Sequence, residues 1–95
     1  MISRQGNRYV IEGPVKLAVV SALLAEGIRS FDGDLVVVDF SRVTEADSSV
    51  ISLMLEWTRR MHGGNRRILF ANLGDSLVSI AKLYGVADLI PVAAE

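Results

Sequence analysis

Polar and apolar residues alternate at the start of the chain and then settle into helical spacings. Ile2 and Arg4 alternate up to Gln5-Gly6-Asn7, a turn whose Gly and Asn accept positive φ, and Tyr9, Val10 and Ile11 form the return strand. Residues 2–12 thus predict a short hairpin, broken by Gly13-Pro14. Over residues 16–29 the stripe Leu17, Val20, Leu24 and Ile28 has the spacing of an amphipathic helix, and Ala18, Ala22 and Ala25 favour that state. Asp32-Gly33-Asp34 is a turn. Leu35–Phe40 is apolar on both faces apart from Asp39, as expected of a central strand covered on two sides.

A polar link follows, from Ser41 to Asp47, and then a helix from about Ser48 to His62 that ends at Gly63-Gly64. Within it Val50, Met54, Thr58 and Met61 form a central stripe, widened by Leu53 and Trp57 on one side and by Ile51 and Leu55 on the other. That arc is broader than packing on a sheet requires. Arg67 to Ala71 reads as a strand. Leu77, Ile80, Ala81 and Tyr84 mark a last helix, capped by Asp75 or Ser76 and stopped by Gly85. Val86–Val92 is expected to hold a short strand interrupted by Pro91. The order strand, strand, helix, strand, helix, strand, helix predicts an α/β fold. Its sheet is small, mixed and mostly parallel, with the first strand antiparallel and the helices mainly on one face. Residues 1–95 form a single domain in this reading.

Composition narrows the function. The apolar fraction is 51% and the aromatic fraction 6%, which favours Leu, Val, Ile and Ala packing of helices on a sheet. Cysteine is absent, which removes disulfides and thiolate metal sites. Ten basic against eleven acidic residues give a net charge of −1, with no demand for nucleic acid. No charged-then-apolar leader opens the chain and no apolar run approaches the roughly 20 residues of a bilayer span, so a soluble cytoplasmic protein is expected.

The chemistry-bearing residues gather where the polar link meets the second helix. Asp47, Ser48 and Ser49 are ordinary capping residues, but together with Thr44 they outnumber what one helix start uses. Hydroxyls there face free N–H groups and the positive end of the helix dipole, a place that can hold an added phosphate or present a polar tip to another protein. Ser52 and Arg59 continue the border from Ser48 beside Leu55. The basic cluster Arg59-Arg60 to Arg66-Arg67 suits a solvated helix end. His62 is the only histidine and has no nucleophile elbow to serve, and neither Gly63-Gly64 nor Gly74-Asp75 has the spacing or lysine of a phosphate loop. No enzyme, cofactor or metal is expected.

The apolar strand ending in Asp39-Phe40-Ser41, the Arg42-Val43-Thr44 link and Asp47-Ser48-Ser49 opening a helix resemble the STAS domain, named for sulfate transporters and anti-sigma factor antagonists. Ala81-Lys82-Leu83-Tyr84-Gly85-Val86 followed by Leu89-Ile90-Pro91 is similar to the stand-alone STAS subunits of the phospholipid-asymmetry ABC transporter, the MlaB type. The resemblance implies a SpoIIAA-like fold and a non-enzymatic cytoplasmic subunit at the inner face of the inner membrane. Its partner would be the transporter's ATPase subunit, with permease and lipid-binding subunits in the same complex, and it would not insert in the membrane. The family's functional hydroxyl, directly after the Asp, falls on Ser48, so Asp47, Ser48, Ser49, Ser52, Leu55 and Arg59 are the candidate partner-binding or phospho-acceptor residues. The alternative is an anti-sigma factor antagonist acting as a serine phosphoswitch on a partner kinase. Where these groups commonly carry Gly two residues after the hydroxyl, this chain has Val50, which is expected to narrow the approach of a partner backbone.

Overall fold

The computed structural model describes residues 1–93. β1 (Ile2–Gln5) and β2 (Arg8–Val15) form the hairpin, with Gly6 at a φ of 64° in its turn. After it come α1 (Leu17–Ser30), β3 (Leu35–Ala46), α2 (Ser49–Gly63), β4 (Arg67–Ala71) and α3 (Gly74–Leu83). The sheet order is β1-β2-β3-β4, antiparallel at β1 and parallel elsewhere. Because strand order simply advances, right-handed crossovers deliver every helix to the same face. Tyr9, Ile11, Val36, Val38, Phe40, Ile68 and Phe70 supply the sheet's side of one core, joined by Leu23, Leu53, Met54, Trp57, Met61 and Leu77 from the helices. No helix among the described residues is long and apolar enough to cross a membrane.

Several expectations need correction. The central strand is covered on one face only: Leu35, Val37 and Leu69 stay half exposed on the other, where Val10 and Ala71 are buried outside the main core. Gly13-Pro14 does not break β2, which continues to Val15 through two register shifts that absorb the irregular residues. β3 likewise runs on to Ala46, so Arg42, Val43, Glu45 and Ala46 pair with β2 instead of forming a loop. In α1, Leu23 and Gly27 are the buried positions, Val20, Leu24 and Ile28 are half-buried, and Leu17 is exposed. α3 begins at Gly74 with no side-chain cap, so neither Asp75 nor Ser76 serves that purpose. Tyr84 is exposed just beyond its end. The expected terminal strand is a 3-10 turn, Ala87–Leu89, followed by one parallel bridge from Val92 to Phe70 at the outer edge of β4.

The contact that sets α1 against α2 is Gly27 on Trp57. An ideal Cβ on Gly27 would stand 2.6 Å from the Trp57 ring, so only a residue without a side chain lets the backbone come this close. The indole Nε1 donates to the Leu24 carbonyl at 3.2 Å, which satisfies the polar atom of a fully buried ring. Phe31 packs edge-on against both Trp57 and Tyr9, and the Tyr9 hydroxyl donates to Ser30 O and accepts from Asp32 N–H. Gly27→Ala is expected to cost about 1–3 kcal/mol by overpacking. In a domain of this size that lowers Tm by roughly 5–15 °C, with Trp57 emission shifted to the red. An unchanged Tm would show that the helices have room to separate.

Asp39 does a similar service across the strands. Its carboxylate accepts from Asn72 Nδ2 at 3.0 Å, Ser41 N–H at 2.8 Å and Arg8 Nε at 3.0 Å. Burial pushes its carboxyl up, but these hydrogen bonds outweigh burial and bring it down to about 2. A folded pKa below the unfolded value stabilises the fold above that unfolded value, near 4, and the contribution fades as pH falls through about 2. Asp39→Asn is therefore expected to lose about 2 kcal/mol at neutral pH and to flatten the stability profile between pH ~4 and ~2. Denaturant unfolding of both proteins across that range is the check.

Candidate functional site

β3 hands the chain to α2 through Asp47 and Ser48, and the two residues divide the work. Asp47 Oδ1 accepts from the Ser49 N–H at 3.0 Å and from the Ser49 hydroxyl, while Oδ2 accepts from the Leu17 N–H at 3.1 Å. One carboxylate therefore caps the starts of both α1 and α2. The Ser49 hydroxyl, then the Leu17 N–H, hold the Asp47 carboxyl below the usual carboxylate range. Ser48 occupies the N-cap position of α2 with φ −63° and ψ −17°, and its side chain makes no capping bond. It is exposed, and no hydrogen bond to its hydroxyl occurs among the described residues. The surplus of polar residues at this helix start is thereby explained. Thr44 lies on β3, Asp47 caps, Ser49 is tied to Asp47, and Ser48 is left over.

Along α2 the spacing of Ser48, Ser52, Leu55 and Arg59 sets them on one outward stripe. Ser48, Ser52 and Arg59 are exposed, whereas Leu55 is half-buried against the core. Asp47 and Ser49 lie partly buried beneath the tip. The wide apolar arc is consumed inside the molecule, since Val50, Ile51, Leu53, Met54, Trp57, Thr58 and Met61 are all buried. Val50 points into the core with no exposed surface, so its branched side chain does not narrow the approach to Ser48.

Two residues escaped the sequence reading. Glu56 binds Arg59 through Nε at 3.1 Å and Arg60 through Nε at 2.8 Å. Hydrogen bonds from Arg59, then Arg60, hold its carboxyl at about 2. Its spacing to Arg59 and Arg60 carried that signal. Leu17 gave none, because it continued the apolar stripe of α1. A groove of about 440 Å³ also opens beside the end of β3, lined by Phe40, Val43 and Leu77 with Lys16 and Asp75.

The Asp47 carboxylate bonds to Ser49 and Leu17 and not to the Ser48 hydroxyl, and His62 lies near the far end of α2, about 20 Å away along the helix axis. Among the described residues no group of His, Asp and Glu could hold a metal ion.

Solved structures share this fold. The anti-sigma factor antagonist SpoIIAA in its unphosphorylated form superposes with a TM-score of 0.74 at 17% identity, over all of this chain and 88% of that one. The Bacillus cell fate determinant SpoIIAA in the phosphorylated form gives 0.65 at 18% identity, over all of this chain and 91% of that one. A structure of Mglu gives 0.57 at 23% identity, over 74% of this chain but 18% of that longer one. No curated protein matches significantly in sequence. The family model described as Mlab, STAS domain matches residues 2–91, and the chain belongs to that STAS family.

Proposed function

We propose that this chain is a non-enzymatic cytoplasmic adaptor that docks on the ATPase subunit of an ABC transporter and supports its assembly or activity. In this reading the transporter moves phospholipid between the inner and outer membranes, and its permease and lipid-binding subunits belong to the same complex. Membership in the MlaB-type STAS family supports the choice of partner. The observation that carries the docking site is the exposed Ser48 hydroxyl, spared from capping because Asp47 performs it. A polar group held rigidly at a helix tip loses little freedom when a partner lands on it. Ser52 and Arg59 extend the surface down α2, and Leu55 contributes the apolar atoms it leaves uncovered.

A second reading rests on the same accessibility. An exposed serine at a helix start is open to a kinase, and the N–H groups of α2 would favour a phosphate there, while Asp47 and Glu45 would repel it. In that case the chain acts as an anti-sigma factor antagonist, switched off its kinase by modification of Ser48.

Co-purification with the ATPase subunit tests the first reading. Ser48→Trp is expected to abolish the complex without changing Tm, because the added ring meets only solvent in the free chain. Ser48→Ala should weaken it about fivefold, the worth of one hydrogen bond. Leu55→Asp is a poorer probe, since this side chain also packs on the core. Wild-type yield of complex from Ser48→Trp contradicts the docking surface. Intact mass of the protein from its native cells separates the two readings: a phosphorylated fraction on Ser48 supports the switch, and unmodified protein in every growth condition supports the subunit.

A further inference from the structure

We propose that Leu17 is the apolar anchor of the docking surface, seated in an uncharged apolar pocket of the partner beside a hydrogen-bond acceptor for Ser48. The inference rests on the docking reading above and adds what that reading lacked, a hydrophobic contact that folding does not use. Leu17 is 75% exposed, although it belongs to the stripe whose other members, Val20, Leu24 and Ile28, pack against the core. Its own N–H is held by Asp47 Oδ2 at 3.1 Å, while Oδ1 of the same carboxylate holds the Ser49 N–H. A single carboxylate thus fixes the leucine of α1 and the free hydroxyl of Ser48 in one rigid frame, which reduces the ordering cost of binding.

Position on the helices supports the same assignment. Trp57 marks the side of α2 that faces α1, since it packs on Gly27 and bonds to the Leu24 carbonyl. Leu55 is two residues away, about 200° around the helix, so it lies on the flank turned from α1. Leu17 and Leu55 therefore bracket the Ser48 and Ser52 tip from opposite sides, and of the two only Leu17 is free of the core.

Charge describes the partner. Lys16 and Glu45 neutralise each other at 3.2 Å, and both oxygens of Asp47 are occupied. At the starts of α1 and α2 the exposed Leu17 side chain and the exposed Ser48 hydroxyl have no partner within the described residues. Neither first turn carries an acidic residue, so the polar group that fits is an acceptor. A neutral apolar pocket with one acceptor complements Leu17 and the Ser48 hydroxyl.

Calorimetry with the purified ATPase subunit tests the anchor, with Tm recorded for each variant. Leu17→Ala is expected to weaken binding about tenfold and Leu17→Asp more than about a hundredfold, both at wild-type Tm. Leu83→Asp is the control, exposed by 80% at the far end of α3, and it should bind as wild type. If Ser48→Trp blocks binding while Leu17→Asp binds within twofold of wild type, the anchor is wrong and the docking reading stands. If Ser48→Trp binds as wild type, or the wild-type chain itself does not bind, the docking reading fails and the anchor with it. Equal losses from Leu17→Asp and Leu83→Asp also overturn the proposal, because they show an effect of added charge and not of place.

Discussion

The Asp47 carboxylate is the contact on which the rest of this site depends. A helix start leaves backbone N–H groups without partners, and two such starts lie side by side here. Asp47 answers both, with one oxygen on Ser49 and the other on Leu17. That economy has a consequence for the next residue. Ser48 stands in the usual capping position, yet has nothing to cap, so its hydroxyl is available to something outside the molecule. Removing the carboxylate would free both helix starts at once and invite Ser48 to turn inward and cap its own helix, closing the tip.

The fold brings those two starts together through packing elsewhere. The missing side chain of Gly27 lets α1 approach the Trp57 ring, and the tryptophan's bond to Leu24 O holds the crossing. Because β2 and β3 run parallel, both helices begin at the same end of the sheet. At the opposite end of α2 the Glu56, Arg59 and Arg60 cluster keeps the helix surface polar. Core packing sets the distance between α1 and α2, and Asp47 converts that distance into a defined surface.

Much of this was legible from residue spacing, where periodicity and burial coincide. In α2 all seven residues of the broad apolar arc other than Leu55 are buried, because helical spacing reports burial well when a helix packs on both a sheet and a neighbour. The tip was legible as a surplus of polar residues, but its division of labour was not. Which of Asp47, Ser48 and Ser49 caps depends on where Leu17 lies, thirty residues earlier in the chain. Leu17 itself was hidden for a related reason: its spacing matches the core stripe, and only the length of α1 relative to the core leaves it outside. The extension of β3 past Phe40 was hidden too, since Ser41 to Glu45 is polar and its pairing to β2 passes through bulges. The mostly apolar strand Leu35–Phe40 suggested two covered faces, whereas the strand order supplies helices to one.

The central claim is that a second polypeptide lands on Ser48, and a photocrosslinking amino acid placed there in living cells tests it most directly. The account predicts a single adduct with the ATPase subunit from position 48 and none from Asn65, which is exposed beyond the far end of α2. An adduct with that subunit from position 65, with none from position 48, would contradict it.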